Sequence, residues 1–331
     1  MAPDCHIPHE QRPDPTTRKG DGRLGSRLAV GIDMGSRLGV LSCLLLSLSA
    51  TCALAQAPSR VETLRKNQVI KLGHPETSVP FAYLDANAKP IGYSVEICQK
   101  IAEELKLSLG LPKLDVQFLP VTSAMGNGTI DLECGNTTNN LERHKLVSFA
   151  PTTFVAQVVL MARKDAGVDV DNLASFRGKT ISAQAGGQTL RVVSQLNAKH
   201  KYDINVVAAK DTGEAVLMVE TGRAAGTAND DGLAYGQVAA SKNPDAYVIG
   251  RKGLEIAPYG IMQPKDDPQF KAVVDAAVLK LIGNGTIAAL YEKYFDAPIP
   301  PHGINLKYKM SDALKRALAK PTDSCDPADN E

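Results

Sequence analysis

Twice along this chain a strand-sized apolar run is followed by a polar loop, a helix-spaced apolar pattern and a further short strand. That order restricts the fold to α/β units, with helices packed on a largely parallel sheet. In the first round Val69-Ile70-Lys71-Leu72-Gly73 reads as a strand and HPETSVPF as the loop after it. Ile97, Ile101 and Leu105 recur at four-residue spacing within Ser94 to Leu109, an amphipathic helix, and Asp115 to Leu119 and Ile130-Leu132 read as further strands. A long apolar strand, Phe154 to Met161, precedes the second round. There the pattern gives strand Thr180-Ile181-Ser182, a Gly-rich turn from Gln184 to Thr189, helix Leu190 to Asn197, strand Ile204 to Ala208, helix Gly213 to Thr221, and a weak strand from Arg223 to Asn229 that leads to Asp230-Asp231. Then come a return strand, Tyr259 to Met262, one helix marked by Phe270, Val273, Ala277 and Leu281, and another from Thr286 to Phe295. A terminal helix runs from Ser311, its expected cap, to Lys320, and the tail after Pro321 reads as disordered. Periodicity by itself yields α/β with one or two domains.

The N-terminal stretch differs in character. Residues 1–33 are polar and irregular; Met34-Gly35-Ser36-Arg37 then gives a basic start, Leu38 to Thr51 an apolar run, and Ala53-Leu54-Ala55 an A-x-A end. This is the layout of a secretory signal peptide, and the apolar run is short for a membrane span. Residues 34–55 are therefore expected to be the signal, with translation beginning at Met34, cleavage after Ala55, and residues 1–33 outside the natural product. An uncleaved anchor is the alternative; a lipoprotein is disfavoured by Thr51 before Cys52. Net charge is +1 on 331 residues. Without residues 1–55, which hold six Lys/Arg and five Asp/Glu, the 37 basic and 36 acidic residues become 31 and 31. A neutral chain without Trp lacks the basic footprint and stacking platforms of a nucleic-acid binder.

The densest chemistry lies between Asn127 and Lys145, NGTIDLECGNTTNNLERHK. A short apolar strand pattern gives way to a turn rich in hydroxyls and amides, and Glu142-Arg143 open a helix. Backbone N–H groups at a helix start and an Arg fork together make a cradle for a carboxylate. The bland alternative is a capped surface helix with a solvated Arg.

With these motifs in this order over roughly residues 60–320, the chain resembles the periplasmic amino-acid-binding proteins of ABC transporters (bacterial solute-binding protein family 3), most closely the glutamate/aspartate-binding branch. The resemblance implies a two-lobed, type II periplasmic binding fold, each lobe a mostly parallel sheet flanked by helices, joined by two hinge crossings near residues 153–158 and 253–259. Residues 60–152 and 259–310 would form lobe one, 158–253 lobe two, and 311–331 a terminal helix and tail. It implies a monomer that captures a free amino acid of the glutamate, aspartate or related polar kind, delivers it to a membrane ABC permease from the periplasm, and uses no cofactor, metal or catalytic residue. Arg143 matches the family's α-carboxylate arginine, Thr138 a ligand-contacting hydroxyl, and Asn136 the contact position before it. Asp230 resembles the ammonium-binding aspartate, with Asp231 its neighbouring competitor and a helix N-cap the alternative for either acid. The turn from Gln184 to Thr189, Gln188 within it, matches a turn whose N–H groups face the carboxylate.

Departures from the family bear on the ligand. Close glutamate/aspartate binders carry an Arg where this chain has Pro75, and a second Arg in a helix after the position of Ser123, which is shortened here to VTSAMGNG. A family His is replaced by Thr212. The side-chain carboxylate of glutamate thus loses its obvious cations, and a neutral polar ligand becomes an option. Of six cysteines, Cys98, Cys134 and Cys325 follow the expected cleavage site. Cys98 reads as a small hydrophobe on a helix face; the family partner of Cys134 would sit at Ile261, so no disulfide is expected. No H-E-x-x-H, C-x-x-C, G-x-S-x-G or P-loop pattern occurs. The remaining rivals are a secreted cyclohexadienyl or arogenate dehydratase relative on the same scaffold, and a sensor ectodomain.

Overall fold

Two mixed sheets organise the computed structural model, which describes residues 58–120, 128–300 and 303–330. The expected signal segment, residues 34–55, and Ser123 lie outside the described residues. The first sheet has the order Asp115–Pro120, Val69–His74, Leu132–Glu133, Met262–Pro264, Val147–Phe149. The second has the order Asn205–Ala209, Thr180–Gln184, Gly226–Asp230, Phe154–Arg163, Tyr247–Ile249. Parallel pairing holds within the strand–helix–strand rounds, from Val69–His74 to its neighbours and from Thr180–Gln184 to its neighbours. The long strand breaks the pattern: its neighbours Gly226–Asp230, Tyr247–Ile249 and Glu255–Tyr259 all run antiparallel to it.

The Phe154–Arg163 strand and its return partner connect the sheets. Phe154 pairs with Tyr259 and Val158 with Glu255, so the outgoing and returning chains cross side by side as an antiparallel ribbon. The return strand expected at Tyr259–Met262 is in fact divided. Tyr259 belongs to the ribbon, whereas Met262 already pairs with Glu133 and Phe149 of the first sheet. The chain changes sheets within three residues, so no single ladder can hold them all.

The helix Tyr93–Ser108 covers the first sheet, with Ile97, Ile101 and Leu105 fully buried. At roughly 1.5–3 kcal/mol for each such side chain, this stripe suffices to fix the helix on the sheet. Phe81, Phe154, Tyr259 and Phe295 meet beside the ribbon, with Phe81–Phe154 ring centroids 4.8 Å apart at 87°. The second sheet carries apolar clusters on both faces, around Phe176 and Val193 on one and Met161 and Val219 on the other.

Two expectations from the sequence fail. Cys98 and Cys134 form a disulfide across 36 residues. The helix face that buries Cys98 aims it at the sheet where Cys134 ends the Leu132–Glu133 strand, so the partner is on that helix and not at position 261. The tail past Pro321 is packed. Thr152 N–H donates to Thr322 O at 2.8 Å, Asn139 Nδ2 to Asp323 O at 2.9 Å, and Lys271 lies 2.8 Å from Asp323 Oδ2. The Ser311 cap is present: its Oγ accepts from Leu314 N–H at 3.1 Å.

Candidate functional site

A cavity of about 270 Å³ lies between strand ends and turns of both sheets. Pro75, Asn136, Thr138, Arg143, Gln188 and Asp230 all line it, so six of the seven sequence-nominated positions converge; Ser123 is outside the described residues. The first sheet contributes the loop after Leu132–Glu133 and the short helix Leu141–His144, and the second contributes the Gln184–Thr189 turn and the end of Gly226–Asp230.

Arg143 is positioned by its own turn. Asn140 caps the helix through Oδ1 to Arg143 N–H at 3.0 Å, and the guanidinium Nη1 donates to Thr138 O at 2.7 Å. The cap is therefore Asn140, which leaves Thr138, 3% exposed, free of that duty. No carboxylate comes within ion-pair distance of Arg143 among the described residues, and the guanidinium is largely desolvated, unlike the solvated Arg of the bland alternative. Burial pulls its pKa below the ordinary arginine value, while Glu133 and Asp230 oppose the shift.

Asp230 faces Arg143 from the second sheet and is 5% exposed. It stands at the N-cap position of helix Asp231–Ala240 but makes no side-chain cap hydrogen bond. Its Oδ2 accepts from the Tyr259 hydroxyl, and its Oδ1 is buried with no partner. Burial pushes this carboxyl up to about 7; the Tyr259 hydrogen bond and Arg143 pull against that, and Asp231 pushes further. Asp231 is spoken for: its Oδ2 accepts from Tyr308 at 2.5 Å and its Oδ1 from Gly232 N–H. That contact separates Asp231 from Asp230, the neighbour that the resemblance favours.

Helix Gln188–His200 begins at the cavity wall. Its N-cap, Gly187, offers no side chain, so the first-turn N–H groups have no side-chain acceptor. A helix start of this kind, next to an unpaired guanidinium, favours an anion. The Gln188 side chain is turned elsewhere: Nε2 donates to Glu255, and Oε1 accepts from Asn140 Nδ2 at 3.1 Å across the cleft. Thr212 holds the turn by donating to Gln184 Oε1 at 3.2 Å.

Among the lining residues that the sequence reading does not nominate, two place a buried amide or carboxylate at the cavity. Asn229 buries an Nδ2 with no partner, a second orphan beside Asp230. Glu133, 6% exposed, accepts from Thr137 Oγ1 at 2.9 Å, and burial raises it to about 7. An acid between Leu132 and Cys134 in an apolar strand was the available signal. Among the described residues no group of His, Cys, Asp and Glu is arranged to hold a metal ion.

The family model for bacterial extracellular solute-binding proteins, family 3, matches residues 70–297, which take in both sheets and every described wall of the cavity. The chain belongs to this family. Among relatives of this family-3 protein, the L-glutamate/L-aspartate-binding protein of Pseudomonas aeruginosa is 40% identical over 293 residues, 84% of this chain and 96% of that one. The glutamate/aspartate import solute-binding protein of Escherichia coli is 36% identical over 291 residues, 84% and 96% of the two chains. A solved ArgBP mutant from T. maritima superposes with TM-score 0.63 at 25% identity, over 71% of this chain and 98% of that one. An ancestral arginine-binding protein bound to arginine gives 0.61 at 24% identity, over 69% and 98%, a likeness of fold alone. The type II periplasmic binding fold of these neighbours is the fold of this family-3 chain.

Proposed function

We propose that this protein is the capture component of an amino-acid ABC importer, binding a free α-amino acid between two lobes. The observation that carries this is a pair of opposite groups on one cavity: Arg143 from the first sheet, held by Thr138 O, and Asp230 from the second, whose Oδ1 is buried without a partner. A zwitterion fits both. Its carboxylate takes the guanidinium and the helix start at Gln188, and its ammonium takes Asp230. Leaving either charge buried and unpaired costs several kcal/mol, against about 8 kcal/mol for micromolar binding. The cavity lies below the roughly 300–1,000 Å³ of drug-sized sites, a size suited to one amino acid.

Lobe one is taken as residues 60–152 and 259–310, lobe two as 158–253, and the ribbon as the hinge. A ligand that touches both lobes favours the closed form, and the Asn140–Gln188 bond latches it. The relatives' glutamate and aspartate imply an acidic or polar ligand class, a membrane permease as partner and a periplasmic site of action, with the protein working as a monomer. Arg143→Ala should abolish the ligand-induced rise in Tm and leave the apo protein folded; an undiminished rise would reject the assignment.

One observation favours a dehydratase reading as well: Asp230 and Glu133, both near 7, are acids of the strength that proton transfer to a bound ring would use. Product from prephenate or arogenate would establish it, and its absence would leave capture alone.

A further inference from the structure

A hydrogen-bond donor on the cavity wall has no partner. Asn229 is 5% exposed and lines the cavity, and its Nδ2 is buried without an acceptor among the described residues. The other end of the amide fixes its orientation. Asp230 N–H donates to Asn229 Oδ1 at 3.0 Å, and a backbone N–H can address only the oxygen. The end left over is therefore an N–H donor. A buried donor without an acceptor is costly, and folded proteins leave few of them.

The α-groups of a captured amino acid do not supply that acceptor. An ammonium brings only donors, and the α-carboxylate is met by Arg143 and the helix start at Gln188. Successive side chains of a strand leave on opposite faces, so Asn229 and Asp230, at the end of Gly226–Asp230, address different parts of a guest. Their register is held by pairing to Val159 and Val158, so the two cannot trade places. What remains for Asn229 is the guest's side chain. Arg143 is the only Lys, Arg or His among the described lining residues, and the segment 121–127, VTSAMGN, contains none. A side-chain oxygen on the second-sheet wall thus meets a neutral donor and no cation.

We propose that Asn229 is a specificity-determining residue of the cavity: its Nδ2 donates to an oxygen at the end of the guest's side chain, a carboxylate or a carboxamide. This rests on the amino-acid reading above. An apolar end leaves the donor unpaired, and a cationic end sets donor against donor, so both are disfavoured. The donor is uncharged, so an acid and its amide share the same contact.

The test is calorimetry on the mature protein at pH 8 with glutamate, glutamine, aspartate and asparagine, the apolar isosteres norvaline and 2-aminobutyrate, and arginine. Each oxygen-ended ligand is read as the ratio of its affinity to that of its isostere, which cancels any change at the shared ammonium and carboxylate contacts. In the wild type the best oxygen-ended ligand should exceed its isostere by about tenfold or more, and should bind tighter than arginine. Asn229→Leu should bring that ratio to about threefold or less. Asn229→Asp keeps the acceptor for Asp230 N–H but replaces the donor by an acceptor, so each acid should lose ground against its amide. The Asp variant, nearly isosteric, carries the test if the Leu variant does not fold. A purely structural role for Asn229 lowers ligand and isostere together and leaves the ratios unmoved. That result, or an isostere or arginine that binds the wild type tightest, would overturn the assignment while the amino-acid reading stands. If none of these amino acids binds the wild type, that reading falls and takes the assignment with it.

Discussion

Asp230→Asn should stabilise the apo protein and abolish binding, and the size of the gain should depend on pH. A carboxyl held near 7 when folded, against an ordinary 3.8, binds a proton that the unfolded chain has already released. Between those two values the native state carries the extra proton, so this group's contribution to stability falls as pH rises, and it is level below 3.8 and above 7. At about 1.4 kcal/mol per pH unit, the ionised group costs the apo fold about 4 kcal/mol at pH 8. Asparagine does not titrate and keeps an acceptor for Tyr259, but its Nδ2 replaces the unpaired Oδ1, at a cost of about 1 kcal/mol. Water in the cavity screens part of the penalty. The expected net gain is about 1–3 kcal/mol at pH 8, several degrees in Tm, fading to nothing near pH 4. Binding is lost in the same variant because the ammonium has no counter-ion, a trade of stability against function. Urea denaturation from pH 4 to 8, with calorimetry alongside, measures both. A stability difference that does not change with pH, or a loss of stability at pH 8, would refute the reasoning.

Three further outcomes are expected. Replacing both Cys98 and Cys134 by Ser opens a loop of 36 residues and should cost about 4 kcal/mol of unfolding free energy in urea, or somewhat less if the unfolded chain stays compact. Gly236→Ala drives a Cβ of helix Asp231–Ala240 into the Val79 carbonyl, and should lower Tm by the equivalent of about 1–3 kcal/mol in a thermal scan. Tyr259→Phe removes the hydroxyl that stabilises ionised Asp230, so the pH at which ligand affinity levels off should move upward from about 7 in a calorimetric pH series.

Local signals in the sequence were sufficient where the interaction is itself local. The Asn136–Arg143 turn, the Ser311 cap and the Ile97–Ile101–Leu105 stripe are all decided within a few residues, and each is found where the pattern placed it. Contacts across long separations were not legible. Asp230 and Asp231 differ because Tyr308 and Tyr259 each take one of them, and neither tyrosine is near in sequence. The tail looks solvated by composition, yet Thr152, Asn139 and Lys271 supply its partners from elements far upstream. Cys98 was read correctly as buried, but which strand end its helix face meets is a tertiary fact. Glu133 is not legible as a wall residue because an acid in a short strand ordinarily belongs to its solvated side; here it is buried, with no side chain at Gly135 to crowd its carboxylate.

The central claim, that Arg143 and Asp230 grip opposite ends of one amino acid, is tested most directly by titrating the wild-type protein with its best amino-acid ligand, the N-acetyl derivative and the α-carboxamide derivative. Each derivative removes one charge, and each should bind at least about a hundredfold more weakly, since breaking a buried charge pair costs about 3–5 kcal/mol. Binding of either derivative within threefold of the parent amino acid would contradict the account.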